Sequence, residues 1–355
     1  MINLEVKIPN KEQSYPIYIE QDKIENLKTK ILQHIKGNKI LVVISEKVNH
    51  LYGKVLGFSQ DEIFVLKDGE KEKNFNNYKK ILEKALKLGL TRKDAIIAIG
   101  GGVVGDITGF VAATYMRGID YIQVPTTLLA CVDSSVGGKT AIDTIFGKNL
   151  VGAFYQPKAV FINLNFLKTL DERQFKTGLG EVVKYIFIEK SCFCKEELNF
   201  SNYISENTEK ILSRNLNTLE ILIENCIKLK IAVVEQDEKE LGLRKILNFG
   251  HTLGHAIEKI TNYKKYTHGE AVVAGIRFAF SLAEKKGFID KNYRFFAEDI
   301  LKKFCFRPVT KLPNNKLLKA MKMDKKADSD KIVFILPIDY SVVKEFSFNE
   351  EEIFD

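Results

Sequence analysis

The feature that most constrains this chain is a series of short, almost wholly apolar segments in its first half, separated by amphipathic stretches. Ile40-Leu-Val-Val-Ile44, Ile63-Phe-Val-Leu66, Ala95-Ile-Ile-Ala-Ile99, Tyr121-Ile-Gln-Val124 and Val160-Phe-Ile162 are too short for helices and lack the alternation of a half-solvated strand. Lysine-rich segments with helical spacing lie between them, at 22–36 and about 74–89, and a further helix is expected from about 103 to 115. Strands that are apolar on both sides are buried on both faces, with the intervening helices as cover, which predicts a parallel α/β sheet. Residues 3–8 and 15–20 alternate and read as two further strands.

After about residue 172 the periodicity becomes helical, over 173–189, 202–236, 246–262, 269–287 and 292–304. Only Lys331-Ile-Val-Phe-Ile-Leu336 reads as a strand there. The expectation is an α/β domain over residues 1–172 and a mainly α-helical domain over 173–355. A length of 355 residues suits two domains, and 45% hydrophobic with 28% charged residues excludes a disordered chain. The net charge of +8 admits an anionic partner, but the lysines are dispersed among acidic neighbours and no nucleic-acid motif accompanies them. No leader pattern and no apolar run of roughly 18 residues is present, so neither secretion nor a membrane is expected. Five cysteines without an even framework predict a reducing, cytoplasmic setting and inert thiols.

The strand 95–99 runs directly into Gly100-Gly101-Gly102-Val103-Val104-Gly105-Asp106 at a helix start. Glycines permit positive φ and close backbone approach, and the first amides of a helix attract anions, which together suit a pyrophosphate. The spacing is not G-x-G-x-x-G, so a tight structural turn is the competing reading. Asp68-Gly-Glu-Lys-Glu-Lys73 also follows a strand, where open α/β sheets bind ligands. Lys139 and Lys148 each adjoin glycines, pointing to a phosphate or carboxylate.

The second half carries Asn248-Phe-Gly-His251-Thr-Leu-Gly-His255, with His268 shortly after. His251 and His255 share a helix face, and three of the five histidines fall within residues 251–268. Imidazoles with one carboxylate suit a zinc site that keeps an open position, and Glu181, set on an apolar helix, is a candidate for that carboxylate. His34 and His50 read as surface residues.

These stretches, with Val124–Leu129, Val132–Thr140, Gly147-Lys-Asn149, Gly152–Pro157, Glu181-Val-Val-Lys184, Gly242–His251, His268-Gly-Glu270 and Asp324-Lys-Lys326, resemble the 3-dehydroquinate synthase family. Order and spacing fit from about residue 40 to 336. The resemblance implies a Rossmann-like N-terminal domain binding NAD and a helical domain carrying a divalent ion, Zn2+ or Co2+. The implied metal ligands are Glu181, His251 and His268, with His255 turned to the substrate instead. Implied NAD contacts are Asp68, Gly69, Glu70, Lys71, Glu72 and Lys73, then Gly102, Val103, Val104, Gly105 and Asp106. Thr126, Thr127, Lys139, Lys148, Phe166, Leu167, Lys168 and Thr169 complete that set. Implied substrate and catalytic contacts are Arg117, Asp133, Lys139, Asn149, Lys184, Lys230, Arg244, Asn248 and His255, with Lys326 of the Lys325-Lys326 pair. Ser45 departs from the family, which often has Asp there to hold the adenosine ribose. A hydroxyl binds ribose less strongly, unless Glu46 assists.

The implied activity is conversion of 3-deoxy-D-arabino-heptulosonate 7-phosphate to 3-dehydroquinate and phosphate, a shikimate-pathway step and a net lyase reaction. It proceeds by transient oxidation with NAD, phosphate elimination, re-reduction and an internal aldol closure. A homodimer acting on a small phosphorylated sugar acid is also implied. The competing classes are a metal-dependent alcohol or glycerol dehydrogenase, which has no need of the basic set, and other sugar-phosphate cyclases making an inosose or valiolone.

Overall fold

The computed structural model describes residues 1–7, 14–324 and 331–354 and divides into two compact units. The first comprises Met1–Leu170 and Leu216–Ile227; the second comprises Asp171–Asn215 and Lys228–Asp355.

The first unit opens with β1 (Ile2–Val6), β2 (Tyr15–Glu20) and α1 (Leu27–Leu32), then alternates β3 (Ile40–Ser45), α2 (Glu46–Leu56), β4 (Ile63–Leu66), α3 (Phe75–Leu88), β5 (Ala95–Gly100), α4 (Gly102–Thr114) and β6 (Asp120–Pro125). A separate antiparallel hairpin follows, β7 (Lys139–Thr144) and β8 (Gly147–Phe154), before β9 (Ala159–Asn163) returns to the main sheet. The seven-stranded order is β1-β2-β9-β6-β5-β3-β4, parallel except for the edge strand β1. Its apolar runs are buried from both sides. Leu41, Val43, Ile96 and Ala98 join the core under α3 and α4, while Ile40, Val42, Ile44, Ile97 and Ile99 join a second core with Leu27, Ile31 and Leu56. From β3 the chain moves outward to β4, and from β5 it moves the other way to β6. The order therefore reverses between β3 and β5, and their carboxyl ends form the crevice where such sheets bind ligands.

The second unit is built on α5 (Glu172–Ile188), α6 (Phe200–Leu212), the latter part of α7 (Leu216–Gln236), α8 (His251–Ile260), α9 (His268–Lys285), α10 (Lys291–Lys303) and α11 (Asn314–Asp324). A two-stranded sheet, β10 (Ile332–Asp339) and β11 (Val342–Phe348), and the short α12 (Glu351–Phe354) end the chain. Two expectations need correction. The helical stretch at 202–236 is two helices, interrupted at 213–215 where Arg214 takes φ +59°. The terminal strand is longer than residues 331–336 and has an antiparallel partner. Among the described residues no helix is long and apolar enough to cross a membrane, and none of the five cysteines is in a disulfide.

Candidate active site

In the second unit three helices meet through glycines. A Cβ on Gly180 of α5 would stand 2.5 Å from Gly269 Cα of α9, and one on Gly269 would stand 2.1 Å from the Thr177 carbonyl oxygen. Gly275 of α9 likewise packs against the Gly250 carbonyl at the start of α8, with Gly250 itself at φ +79°. Side chains next to these bare contacts are therefore brought together: Glu181 follows Gly180, His268 precedes Gly269, and His251 follows Gly250. The entry to α9 is set by a capping box, Thr267 N donating to Glu270 Oε2 at 2.8 Å and Glu270 N donating to Thr267 Oγ1 at 3.4 Å. Arg173 of α5 grips the same Glu270 carboxylate at 3.0 Å, so His268 is the first residue of a doubly anchored helix.

Glu181 is fully buried, and its Oε1 lies 3.3 Å from His251 Nε2 and 3.1 Å from His268 Nε2. Ligand atoms about 2.1 Å from a tetrahedral ion stand about 3.4 Å apart, so this N₂O set has the spacing of a divalent-ion site. The far ring nitrogens are also occupied: His251 Nδ1 is 3.1 Å from the Phe249 carbonyl oxygen, and His268 Nδ1 is 3.1 Å from Glu258 Oε2. Such partners orient each ring so that Nε2 faces the position a bound ion would take. His255, Glu258 and His268 form a second group with ligand atoms within 4.8 Å of one another.

Lys184, one turn after Glu181, places Nζ 2.5 Å from Glu181 Oε2. Burial alone would raise the Glu181 pKa, but Lys184 and then His251 hold it well below the usual carboxylate range. Burial pulls His251 down despite Glu181, whereas for His268 the opposing effect of burial is outweighed by Glu258 and Glu181, which push it up to about 10. Lys230 and Arg244 are buried in this unit, and Asn248 is half-buried with its amide donating to Glu240 Oε1 at 2.8 Å. The His255 ring lies 5.3 Å from that of His251. Lys325 and Lys326 lie outside the described residues.

In the first unit the Gly100–Gly102 turn sits at the reversal point of the sheet. Its role differs from the one expected: none of the three glycines has positive φ. What excludes a side chain is proximity, since a Cβ on Gly100 would meet Val104 Cγ2 at 2.6 Å and one on Gly102 would meet Ser134 Oγ at 3.0 Å. Gly101 begins α4 without a side-chain cap, which leaves the first amides to other acceptors.

Nearby, Lys73 is buried with its ammonium 3.1 Å from Glu70 Oε1, 3.1 Å from Asp106 Oδ2, 3.7 Å from Asp143 Oδ1 and 2.5 Å from Asn149 Oδ1. Lys148 adds a contact to Glu70 at 3.6 Å. Burial opposes the charge on Lys73, but the three carboxylates outweigh it and raise the pKa above the ordinary lysine value. Burial in turn pushes Asp106 up to about 6. Asn149 is held at φ +57° while its N–H donates to Asp143 Oδ1 at 3.0 Å.

Glu70, Lys73, Asp106, Lys148 and Asn149 are thus brought together, and others of the expected set are not. Asp68 accepts from Lys47 N at 3.0 Å at the start of α2, and Glu72 accepts from Asn77 Nδ2 of α3 at 2.8 Å. Gly69 takes φ +112° and Lys71 is exposed. Val104, Phe166 and Leu167 have core side chains, leaving only their backbones for a ligand. Val103 is half-buried, Lys168 is exposed, and Thr169 shares a 2.7 Å hydrogen bond with Tyr52. Thr126 is buried with its N–H on the Gly100 carbonyl, Thr127 Oγ1 accepts from Ala130 N, and Gly105 packs under Gln123. Asp133 is half-buried in the turn after β6; Lys139 is exposed at the start of β7; Arg117 is exposed at φ +64°. Ser45 caps α2, accepting from Val48 N at 3.4 Å.

His50 is exposed, but His34 is not the surface residue expected: it is half-buried, with the Tyr18 and Phe161 rings each 5.4 Å away. Asp143 and Glu258 were missed. Glu258 had a signal, since positions 251, 255 and 258 lie on one helix face.

A family model described as 3-dehydroquinate synthase N-terminal matches residues 63–177, and one described as 3-dehydroquinate synthase C-terminal matches 178–327. The 3-dehydroquinate synthase of Alkaliphilus metalliredigens is 44% identical, with 96% of this chain and 95% of the relative covered. That of a Thermoanaerobacter species is 43% identical over 98% of each. Among solved structures, a 2-deoxy-scyllo-inosose synthase complexed with carbaglucose-6-phosphate, NAD+ and Co2+ matches with a TM-score of 0.85 at 25% identity, covering 99% of this chain and 98% of that one. A glycerol dehydrogenase from Schizosaccharomyces pombe, at 16% identity and a TM-score of 0.67 over 95% and 86% of the two chains, shares the fold alone. With identity of this order along nearly its whole length, the chain belongs to the 3-dehydroquinate synthase family.

Proposed function

We propose that the chain performs its family's reaction, releasing phosphate from 3-deoxy-D-arabino-heptulosonate 7-phosphate to give 3-dehydroquinate, as a carbon–oxygen lyase dependent on NAD and on Zn2+ or Co2+. The observation that carries this reading is the convergence of Glu181 Oε1, His251 Nε2 and His268 Nε2 at the spacing of metal ligands. When bound, NAD supplies a hydride acceptor that later returns the hydride, and the ion supplies a Lewis acid for substrate hydroxyls. Residues 1–172 are assigned the cofactor and residues 173–355 the metal.

The rest is the work of the chain's own side chains. The first amides of α4, with Glu70, Lys73, Asp106 and Lys148, orient the dinucleotide at the reversal point of the sheet. Lys139, Lys230, Arg117, Asn149 and Arg244 bind the phosphate and carboxylate, for which ammonium, guanidinium and amide donors are suited. Lys184 holds Glu181 ionised, and Asp133 and Asn248 orient substrate hydroxyls. His255 moves protons at its ring nitrogen, while the departing phosphate oxygen takes the adjacent carbon proton, sparing the protein a strong base. We further assign the protein to the cytoplasm, in keeping with its unbridged cysteines, and to a homodimer.

The test is phosphate release from the heptulosonate phosphate, measured with and without added NAD and with a chelator. Release that needs both, without net NADH, supports the assignment. Net NADH from a simple polyol, with no phosphate released, overturns it in favour of a dehydrogenase.

A further inference from the structure

Glu258 lies two turns along α8 from His251, on the same face. It is only 5% exposed, and it is an ionisable group buried next to an imidazole. Its Oε2 stands 3.1 Å from His268 Nδ1, while His268 Nε2 stands 3.1 Å from Glu181 Oε1. The two nitrogens of one ring are thus engaged by two carboxylates on different helices. His251 has the corresponding arrangement with a main-chain oxygen, that of Phe249, on its Nδ1.

We propose that Glu258 is a positioning residue that fixes the ring orientation and tautomer of His268, so that Nε2 offers its lone pair where Glu181 and His251 offer theirs; this rests on the assignment of those three residues as metal ligands. His268 needs such a partner more than His251 does. A main-chain carbonyl two residues earlier is part of the His251 turn itself, whereas the partner of His268 comes from another helix. A carboxylate accepts the Nδ1 proton, leaves Nε2 unprotonated for an ion, and makes it a stronger donor. Without that acceptor the ring is free to rotate about its χ2 and to present a protonated nitrogen. The rival role is ligation by Glu258 itself, in the group it forms with His255 and His268.

The experiment compares the full-length wild type with Glu258→Gln, Glu258→Ala and His268→Ala, all loaded with Co2+. Affinity is read by chelator competition, and the coordination sphere by the visible absorption of Co2+. Glu258→Gln, whose amide oxygen still accepts, is expected to keep the wild-type spectrum and lose about 10-fold in affinity, and Glu258→Ala up to about 100-fold. His268→Ala should lose both tight binding and the spectrum. Wild-type affinity in both Glu258 variants overturns the positioning role. A spectral change in Glu258→Gln as large as that in His268→Ala makes Glu258 a ligand and overturns it equally. Tight binding by His268→Ala would sink the ligand assignment itself. Thermal unfolding of the metal-free proteins identifies a variant that has failed to fold, and Glu258→Gln, which changes neither shape nor volume, then decides.

Discussion

The two units each hold a buried ionic cluster, and the clusters are organised in opposite ways. In the first unit a cation stands at the centre: Lys73 is ringed by Glu70, Asp106, Asp143 and the Asn149 amide oxygen. In the second unit the centre is lined by acceptors, Glu181 Oε1 and two imidazole nitrogens, with Lys184 on the outer carboxylate oxygen. A cluster built around its own ammonium is a joint that orders the loop after β4, the start of α4 and the β7–β8 hairpin against one another, and so holds in place the groups proposed to orient the dinucleotide. A cluster of acceptors alone is a receptacle. Burial orders a loop in the first case and suits the ligation proposed for the second.

The comparison is tested most severely by His268→Ala, which is expected to abolish metal retention and phosphate release while leaving a folded metal-free protein; metal analysis and circular dichroism check both halves. Lys73→Met should act on stability as well as on cofactor binding. It leaves Asp106 and Asp143 without their cation, and Glu70 with Lys148 alone, and should destabilise the first unit by about 3–5 kcal/mol, read from denaturant unfolding. A loss below about 1 kcal/mol would mean that the cluster is not a closed joint. Gly180→Ala should cost about 1–3 kcal/mol, because its methyl group meets the Gly269 backbone, and should weaken metal binding as α5 and α9 separate. The smallest effect concerns pH. Asp106 is raised in the fold to about 6 from an ordinary 3.8. Its contribution is therefore fully present below the unfolded value and is lost as pH rises through about 6. Asp106→Asn should remove that loss, so the unfolding free energy of the variant, measured in urea, should gain on that of the wild type from pH 4 to pH 7 by an amount on the order of 2 kcal/mol. A difference constant with pH would contradict the assignment of the shift to Asp106.

The parallel sheet was legible because strands buried on both faces carry an unbroken apolar signal, as in Ile40–Ile44 and Ala95–Ile99. The β7–β8 hairpin was not read, because its core contacts come from only a few residues, Ile142 with Val151 and Ala153, set among charged, small and exposed ones that break any apolar run. The second strand of the terminal hairpin, Val342–Phe348, was hidden likewise, with only Val343 and Phe348 buried among exposed charged residues. At the Glu181 cluster, histidine spacing pointed to α8, yet only three-dimensional packing separates His255 from His268 as a neighbour of Glu181. Glu258 was passed over because a glutamate on an amphipathic helix normally faces water. His34 was misjudged in the converse way: it follows the end of a lysine-rich helix, but Tyr18 of β2 and Phe161 of β9 pack against its ring.

The bare contact between Gly180 and Gly269 also limits how this donor set can be redesigned. With the two backbones already touching, α5 and α9 have no slack with which to approach a shorter side chain. Aspartate at position 181 would fall short by one carbon–carbon bond, about 1.5 Å, and no helix movement could restore the reach. Ion preference can therefore be altered here by changing donor chemistry at constant side-chain length, as in Glu181→Gln, but not by trading length for proximity.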